Sequence, residues 1–281
     1  MPELPEVETL KLGIQKYVVG HKILEIESKY PRIFSADKKL IVGAKVESVR
    51  RIGKGLILDL SNEYVLAIHI KMTGQLVYRD EATKNEPLSL KVGTGLPAKY
   101  THVIIKLDRG ATLYYNDMRR FGWIKVVPKK EVDKLPFFRD MGPEPFDDLT
   151  FPVFKNALKD KTTNIKILMM DQTIIGGIGN IYANDALFKA KINPKRTGKS
   201  LSETELKTLY EAILAVMKKG LESHGASELS FVNILGQEGE YQNHTLVYGK
   251  KGKDCPNGCG GKIQFIKLGG RGTYFCTKCQ K

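Results

Sequence analysis

Four cysteines near the end of the sequence have the clearest chemical meaning. Cys255 and Cys259 form one close pair, Cys276 and Cys279 form a second, and sixteen residues separate the two pairs. Two such pairs on a hairpin can surround one zinc ion tetrahedrally, and closed four-thiolate sites are usually structural. The first pair is spaced C-x3-C, which Gly258 can accommodate as a wider turn. We therefore predict one structural Zn²⁺ and a reducing compartment rather than a disulfide framework.

A glycine-rich turn enters a helical pattern at DQTIIGGIGNIYANDALF, where Gly176, Gly177 and Gly179 come just before Asn180. Free backbone N–H groups at the start of a helix can bind an anion, and Lys161 and Lys166 add positive charge upstream. Such turns are also common as simple connections between elements. The turn alone leaves both interpretations open.

Two predicted turns place an apolar side chain beside cations. YYNDMRRFGW puts Arg119 next to Phe121, and HIKMTG puts Met72 close to His69. An apolar wedge flanked by cations can separate stacked bases, and a guanidinium can pair with a base edge. The alternative is that Met72 and Phe121 are core residues beside solvated arginines.

The charge of the chain favours a polyanionic partner. Lys and Arg total 45 against 31 Asp and Glu, which gives a formal net charge of +14, and the pI is about 9.4. Nucleic acid is the commonest partner of such a protein, although a solvated basic surface is the alternative. No apolar run approaches the roughly 20 residues of a transmembrane helix, and the first residues do not form a secretory signal.

The elements that must position these residues follow from hydrophobic periodicity and capping signals. We predict a helix over residues 5–17, a long loop over 80–99, and a second helix that opens with a capping box from Ser202 to Glu205 and closes at Gly220. Short alternating β-branched runs predict an antiparallel sandwich or flattened barrel. The eight predicted strands are 22–28, 44–52, 55–60, 64–70, 75–79, 101–107, 111–116 and 123–127.

These elements indicate an α+β multidomain chain. We expect an N-terminal antiparallel β-sandwich with a flanking helix over residues 1–127, followed by a proline-marked linker over 128–150. A helical domain is expected over 151–248 and a cysteine-bearing ribbon over 249–281.

Taken in order, the motifs resemble those of the bacterial formamidopyrimidine-DNA glycosylases, which remove oxidised purines in base-excision repair. The motifs are MPELPEVET, GKG, HIKMTG, DMRRFG, MGPEP, DQTIIGGIGNIYAND and GRGTYFCTKCQK, and they span nearly the whole chain. The resemblance implies a β-sandwich, a helix-two-turns-helix domain that binds DNA, and a C-terminal zinc ribbon.

The resemblance also implies a catalytic set. After removal of Met1, the Pro2 amine would attack C1′ of the damaged nucleoside, and Glu3 would move protons at the opening sugar ring. Lys54 would assist β-elimination, and Arg271 would bind phosphate and assist δ-elimination. The implied activity is a bifunctional glycosylase and abasic-site lyase acting on formamidopyrimidines and on 8-oxoguanine opposite cytosine.

The same resemblance assigns DNA-binding residues. The void left by a flipped nucleotide would be filled by Met72, Arg119 and Phe121. Phosphates would be contacted by His69, Lys161 and Asn180. Lys71, Met118, Tyr100 and the stretch 224–244 depart from the family pattern. In the family that stretch covers the flipped base, so the resemblance implies that its residues affect lesion preference.

The implied partner is damaged double-stranded DNA, with no organic cofactor and no membrane. A monomer in the bacterial cytoplasm, associated with the nucleoid through DNA, is expected. Two other classes of function stay open at this point. One is a non-catalytic binder that kept the fold, against which Pro2, Glu3 and Lys54 argue because all three are present. The other is a zinc-ribbon protein that binds RNA, which leaves the N-terminal cluster without a role.

Overall fold

The computed structural model describes residues 1–281, which form two compact units. The first unit comprises Met1–Arg139 and Leu221–Gln242, and the second comprises Asp140–Gly220 and Asn243–Lys281. The segment Leu221–Gln242 thus joins the N-terminal unit, although the sequence assigned residues 151–248 to one helical domain. No helix in the chain has both the length and the apolar character needed to cross a bilayer.

The first unit contains two four-stranded antiparallel sheets, which confirms the predicted sandwich and all eight predicted strands. The strand order is β1-β6-β7-β5 in one sheet and β2-β3-β4-β8 in the other. The strands are β1 (Ile23–Ser28), β2 (Val46–Ile52), β3 (Gly55–Leu60), β4 (Tyr64–His69), β5 (Gly74–Arg79), β6 (Thr101–Leu107), β7 (Thr112–Asp117) and β8 (Trp123–Pro128).

Strands β3 and β4 are apolar on both faces because both faces are covered. Leu58, Leu66 and Ile68 point into the core between the sheets, whereas Ile57 and Val65 belong to a second cluster on the outer face. That cluster includes Val132 and Phe138 from a 3-10 helix (Lys129–Lys134) and a short helix, α2 (Pro136–Arg139). The first half of the predicted linker 128–150 therefore packs against the outer face of β3 and β4.

The N-terminal helix α1 (Leu4–Tyr17) begins within one residue of the predicted start and ends where predicted. Val7, Leu10 and Ile14 recur at helical spacing and are buried in the core between the sheets. Pro5 occupies the first turn, where its missing N–H costs no hydrogen bond. The chain start is thereby carried by a helix that is anchored along its length.

The second unit contains four helices and a two-stranded ribbon, as predicted for the second half of the chain. Tyr210 ties two of the helices together, since its ring packs against Phe154 and its hydroxyl donates to the Leu149 carbonyl. The elements are α3 (Phe151–Leu158), α4 (Ile165–Met170), α5 (Asn180–Lys189), α6 (Glu203–Glu222), β9 (Ile263–Leu268) and β10 (Arg271–Cys276).

Helix α6 confirms its predicted capping box and corrects its predicted end. The Ser202 backbone N–H donates to the Glu205 carboxylate at 2.8 Å, and the Glu205 backbone N–H donates to the Ser202 hydroxyl at 3.2 Å. The helix continues through Gly220 to Glu222. Glycine is required there by packing, because a Cβ at Gly220 would lie 2.5 Å from both Cε1 and the hydroxyl oxygen of Tyr182.

Gly220→Ala is expected to lower the free energy of unfolding by about 1–3 kcal/mol, as is typical of overpacking a core. Helix propensity alone would give the opposite sign, because alanine in a helix interior is favoured over glycine by about 1 kcal/mol. Urea denaturation measures the change, with Lys218→Ala, an exposed position of the same helix, as the control. A stabilised Gly220→Ala variant would contradict the packing explanation.

Candidate active site and nucleic-acid interface

The start of α1 buries the residues that carry the proposed chemistry. Pro2 is buried, and Glu3, which precedes the first helical residue, is only 2% exposed. Glu3 and Glu6 form a capping box, in which the Glu3 backbone N–H donates to Oε2 of Glu6 at 2.6 Å. The helix dipole at this end favours negative side chains and opposes a positive charge on a nearby amine.

Glu6 also connects the chain start to the loop formed by residues 224–242. Its Oε1 accepts a 2.7 Å hydrogen bond from the backbone N–H of Ala226, and the carboxylate is buried. A Cβ on Gly225 would lie 2.8 Å from Cγ of Glu6, so the loop backbone approaches this side chain closely. The region that diverges from the family pattern is therefore packed against the first turn of α1.

Lys54 lies on the tight turn between β2 and β3, and this turn is anchored to α1. Arg51 donates from Nε to Glu8 at 2.9 Å and from Nη1 to the Gly53 carbonyl at 2.9 Å. Burial raises the pKa of Glu8, but hydrogen bonds from Lys11 and Arg51 outweigh it, so that the net shift is downward. Lys54 itself is only 3% exposed.

His69 lies at the end of β4 and is a buried, neutral imidazole. Burial, followed by the charges of Lys71 and Lys54, lowers the pKa of His69 to about 3. The Lys71 backbone N–H donates to Nδ1 at 2.9 Å, so the ring proton resides on Nε2. The Phe137 ring packs edge-on against the imidazole at 4.4 Å. His69 can thus donate one uncharged hydrogen bond to an anion.

The residues expected to fill a void in DNA lie on two turns of the first unit. Met72 is on the turn between β4 and β5, whereas Arg119 and Phe121 are on the turn between β7 and β8. The Arg119 guanidinium stacks over the Phe121 ring at 4.6 Å, and half of the Phe121 surface is exposed. The alternative that Phe121 is a core residue is therefore wrong, while Met72 is half-buried.

The 224–242 loop is held against the long loop 80–99 by polar contacts. Lys91 donates to the Ser227 carbonyl and to the Glu238 carboxylate. Hydrogen bonds from Lys91 and Ser89 lower the pKa of Glu238. Gln75 in β5 donates to the Ser230 carbonyl at 2.7 Å, and the Ser230 hydroxyl donates to the Met72 carbonyl at 3.2 Å. The loop is thus connected to the turn that carries Met72.

In the second unit, Asn180 and Arg271 lie at the same end of the α5 and β10 pair. Asn184 donates to the Asn180 carbonyl at 2.6 Å and to the Gly272 carbonyl at 3.5 Å. The buried Lys166 donates to the Gly272 carbonyl and to the Thr273 hydroxyl, both at 2.7 Å. Arg271 is exposed on the wall of a cavity of about 290 Å³.

The remaining predicted phosphate contact and the glycine turn are also in the second unit. Lys161 is exposed on the turn after α3, where its backbone N–H donates to the Leu158 carbonyl. The predicted helix start is confirmed, since α5 begins at Asn180 with Gly179 as its N-cap. Lys166, which the sequence groups with Lys161 as positive charge near the glycine turn, is instead buried and bonded to Gly272 and Thr273. Sequence reasoning missed Asn184, because a polar residue inside a helix is usually expected to face water.

The four cysteine side chains converge, as their spacing predicted. All four Sγ atoms lie within 4.8 Å of one another, and neighbouring pairs are 3.2 to 3.6 Å apart. Four thiolates about 2.3 Å from a tetrahedral zinc ion would be separated by roughly 3.8 Å, so the donor set fits zinc. Ile263 and Phe188 pack beside the buried Cys255 and Cys276, which makes the ribbon part of a small core.

Three family models match successive parts of the chain. Residues 1–124 match the formamidopyrimidine-DNA glycosylase N-terminal domain, and residues 141–231 match the H2TH domain of the same enzymes. Residues 252–281 match a zinc finger found in FPG and IleRS. Together with the buried chain start and the four-cysteine cluster, these matches define a DNA-repair enzyme of the N-glycosylase class.

Relatives and solved structures agree along the full length. The formamidopyrimidine-DNA glycosylase of Pelotomaculum thermopropionicum is 41% identical over all of this chain and 99% of its own, and that of Streptococcus mutans is 36% identical over both complete chains. Lactococcus lactis Fpg bound to DNA containing N7-benzyl-Fapy-dG superposes with a TM-score of 0.86 at 33% identity, covering both chains completely. A complex of that enzyme with abasic-site DNA gives the same TM-score and identity over 99% of each chain. The chain belongs to the formamidopyrimidine-DNA glycosylase family.

The neutral state of His69 makes stability depend on pH. The unfolded chain takes up a proton near the ordinary histidine pKa of about 6.5, whereas the folded chain resists it down to about 3. The contribution of His69 to the free energy of unfolding is therefore fully present above about pH 6.5. It is lost as the pH falls toward 3. Between pH 6.5 and 5 the wild type should lose about 2 kcal/mol more than His69→Gln in urea denaturation. His244→Gln removes an exposed histidine and serves as the control, and identical pH profiles for wild type and His69→Gln would contradict the assignment.

Removal of one thiolate tests the metal site. Cys276 is fully buried, so Cys276→Ser should lose bound zinc and open the ribbon to proteolysis, because structural zinc supplies folding free energy. Elemental analysis of the purified protein measures the zinc, and limited trypsin digestion measures the opening. The neighbouring exposed Thr277→Ala is the control. A Cys276→Ser protein that keeps its full zinc content would rule out this ligand set.

Proposed function

We propose that this chain is a bifunctional DNA glycosylase and abasic-site lyase that removes formamidopyrimidines and 8-oxoguanine opposite cytosine. The observation that carries the proposal is the buried Pro2 and Glu3 pair at the start of α1, with the Lys54 turn anchored to that helix. The name shared by the full-length relatives supports the substrate class. The solved complexes with formamidopyrimidine and abasic-site DNA support damaged duplex DNA as the partner.

The first step requires a free amine at Pro2, so Met1 must be removed. Met1 is more than one third exposed, and proline is a small residue to follow it. The secondary amine attacks C1′ as the glycosidic bond breaks and the damaged base leaves with a proton. Glu3 protonates O4′ while the sugar ring opens. The product is an iminium ion that is cationic without further protonation and therefore withdraws electrons.

The electron-withdrawing iminium explains the lyase steps. Loss of a proton from C2′ expels the 3′ phosphate, and loss of a second proton from C4′ expels the 5′ phosphate. Lys54 assists the first elimination, and Arg271 binds phosphate and assists the second. Hydrolysis of the remaining imine releases the sugar fragment and regenerates Pro2. A glycosylase that used only water would require no such amine.

The DNA contacts proposed for this mechanism divide between the two units. Met72, Arg119 and Phe121 fill the void left by the flipped nucleotide, with Arg119 opposite the orphaned cytosine. Phosphates are bound by His69, Lys161 and Asn180. One structural zinc ion on Cys255, Cys259, Cys276 and Cys279 maintains the ribbon that carries Arg271. We propose that the chain acts as a monomer in the bacterial cytoplasm.

Borohydride trapping tests the covalent step. Protein with Met1 removed is incubated with duplexes containing 8-oxoguanine opposite cytosine, an abasic site, or no damage. A covalent adduct is expected with both damaged duplexes and not with the undamaged duplex, since only a sugar that has lost its base forms the reducible imine. N-terminal mass analysis accompanies each sample, because retained Met1 blocks the amine and would imitate inactivity.

Two variants identify the amine. A form with two extra residues before Pro2 should trap no DNA, because its proline nitrogen is an amide. Pro5→Ala changes the other proline of the same helical turn and should trap as the wild type does. If the extended form yields as much adduct as the wild type, the nucleophile is a lysine and the assignment of Pro2 is overturned.

A further inference from the structure

Met72 lies on one turn and Arg119 and Phe121 on another, so joint insertion into DNA requires the two turns to keep a fixed separation. The first turn connects β4 to β5, and the second connects β7 to β8. Strands β5 and β7 pair directly, with Gly74 opposite Asp117. This pairing fixes the strands but leaves the tips of both turns, where the inserting side chains lie, beyond the ladder.

We propose that Thr73 and Asp117 are positioning residues that lock these two turns into one inserting unit. The inference rests on the proposed function, since it concerns how base excision is achieved. Neither residue is expected to touch DNA, because Thr73 is 6% exposed and Asp117 is fully buried. They act through the backbone and the side chains of the two turns.

The geometry consists of one carboxylate shared by both turns. Oδ1 of Asp117 accepts the Thr73 hydroxyl at 2.5 Å and the Arg119 backbone N–H at 3.2 Å. The same Arg119 N–H also reaches the Thr73 hydroxyl oxygen at 3.0 Å. Oδ2 of Asp117 accepts the Gly122 backbone N–H at 2.8 Å. Thr73 next to Met72 is thereby joined to both ends of the segment that carries Arg119 and Phe121.

The turn between β7 and β8 passes through a narrow space at Gly122, where the Asp117 carboxylate holds its backbone. A Cβ at Gly122 would lie 1.9 Å from the Tyr115 hydroxyl and 2.7 Å from the His69 carbonyl oxygen. Burial and the Asp117 carboxylate raise the pKa of Tyr115, so this hydroxyl remains a donor. Only glycine, which has no Cβ, fits between these groups, and its backbone N–H donates to Asp117.

Each turn also contains a residue in the left-handed backbone region. Lys71 has φ of 48° and Arg120 has φ of 55°, conformations that cost a side-chain-bearing residue free energy. A backbone held in this region needs surrounding contacts that determine it. The hydrogen bonds of the buried Thr73 and Asp117 supply such contacts where the turns leave the strands. Met118 and Phe121 remain half exposed at the tip.

Loss of the shared hydrogen bond should impair base extrusion more than the lyase chemistry. Extruding a base from the stack costs free energy that a preformed abasic site, which has no base, largely avoids. A rigid pair of turns can offset this cost by filling the void at once. Thr73→Val removes the hydroxyl at nearly constant volume, whereas Thr73→Ser keeps it.

The matched control is another buried threonine that donates to a carboxylate. Thr83 is 7% exposed, and its hydroxyl donates to Asp80 at 2.8 Å on the loop that follows β5. Thr83→Val therefore breaks the same type of bond in the same unit without affecting either inserting turn. It reports the general effect of such a loss on folding and activity.

The experiment compares single-turnover excision of 8-oxoguanine opposite cytosine with cleavage of a preformed abasic site. Both rates are normalised to the amount of borohydride adduct on abasic DNA, which counts folded, active molecules. Thr73→Val should reduce the ratio of excision to abasic cleavage about tenfold, while Thr73→Ser and Thr83→Val should stay within about twofold of wild type. Thr73→Ala replaces Thr73→Val if the valine variant does not fold.

Equal ratios for Thr73→Val, Thr83→Val and wild type would overturn the positioning role, as would a Thr73→Ser ratio as low as that of Thr73→Val. A wild-type protein that forms no adduct with either damaged duplex would contradict the proposed function instead. The two failures are therefore distinguishable.

Discussion

A carboxylate taken out of water must be surrounded by hydrogen-bond donors, and in this chain loops supply those donors through their backbones. Glu6 accepts the N–H groups of Glu3 and Ala226, and Asp117 accepts those of Arg119 and Gly122. Asp185 in α5 accepts three consecutive N–H groups from Leu246 to Tyr248. Each carboxylate fixes an irregular segment that regular secondary structure could not hold, and the loops around the candidate sites depend on them.

The same constraint explains how an acidic chain start suits a strongly basic protein. Glu3 and Glu6 are almost completely buried, so their charges serve local hydrogen bonds and the start of a helix. The cations of the chain have different roles. Arg51 anchors the Lys54 turn, and Lys166 anchors the ribbon. Arg119 and Arg271, by contrast, are exposed. The net charge of +14 therefore does not measure the number of cations available to a polyanion.

Much of the fold could be predicted because periodicity and caps are local signals. The eight strands, the start of α1 and the capping box of α6 all depend on residues within a few positions of one another. Gly220 was misinterpreted as a helix end, since its partner Tyr182 is distant in sequence. The membership of Leu221–Gln242 in the first unit has the same origin, because Ala226 and Ser227 bond to residues more than a hundred positions away.

The candidate site divides along similar lines. The cysteine cluster was predictable because four ligands of one type are close in sequence, and the convergence of their Sγ atoms follows from the hairpin. The roles of Thr73, Asp117 and Asn184 were not predictable, since threonine, aspartate and asparagine are ordinarily turn or surface residues. Only the three-dimensional arrangement shows that their hydrogen bonds are directed inward.

The uncharged imidazole of His69 has a thermodynamic consequence for a complex with DNA. Cations that neutralise phosphates release condensed counterions, and the number released sets how steeply affinity falls with salt. A neutral Nε2–H can hold a phosphate oxygen without releasing any counterion. A contact made by His69 would therefore contribute equally at low and high ionic strength, while the lysine and arginine contacts weaken as salt is added.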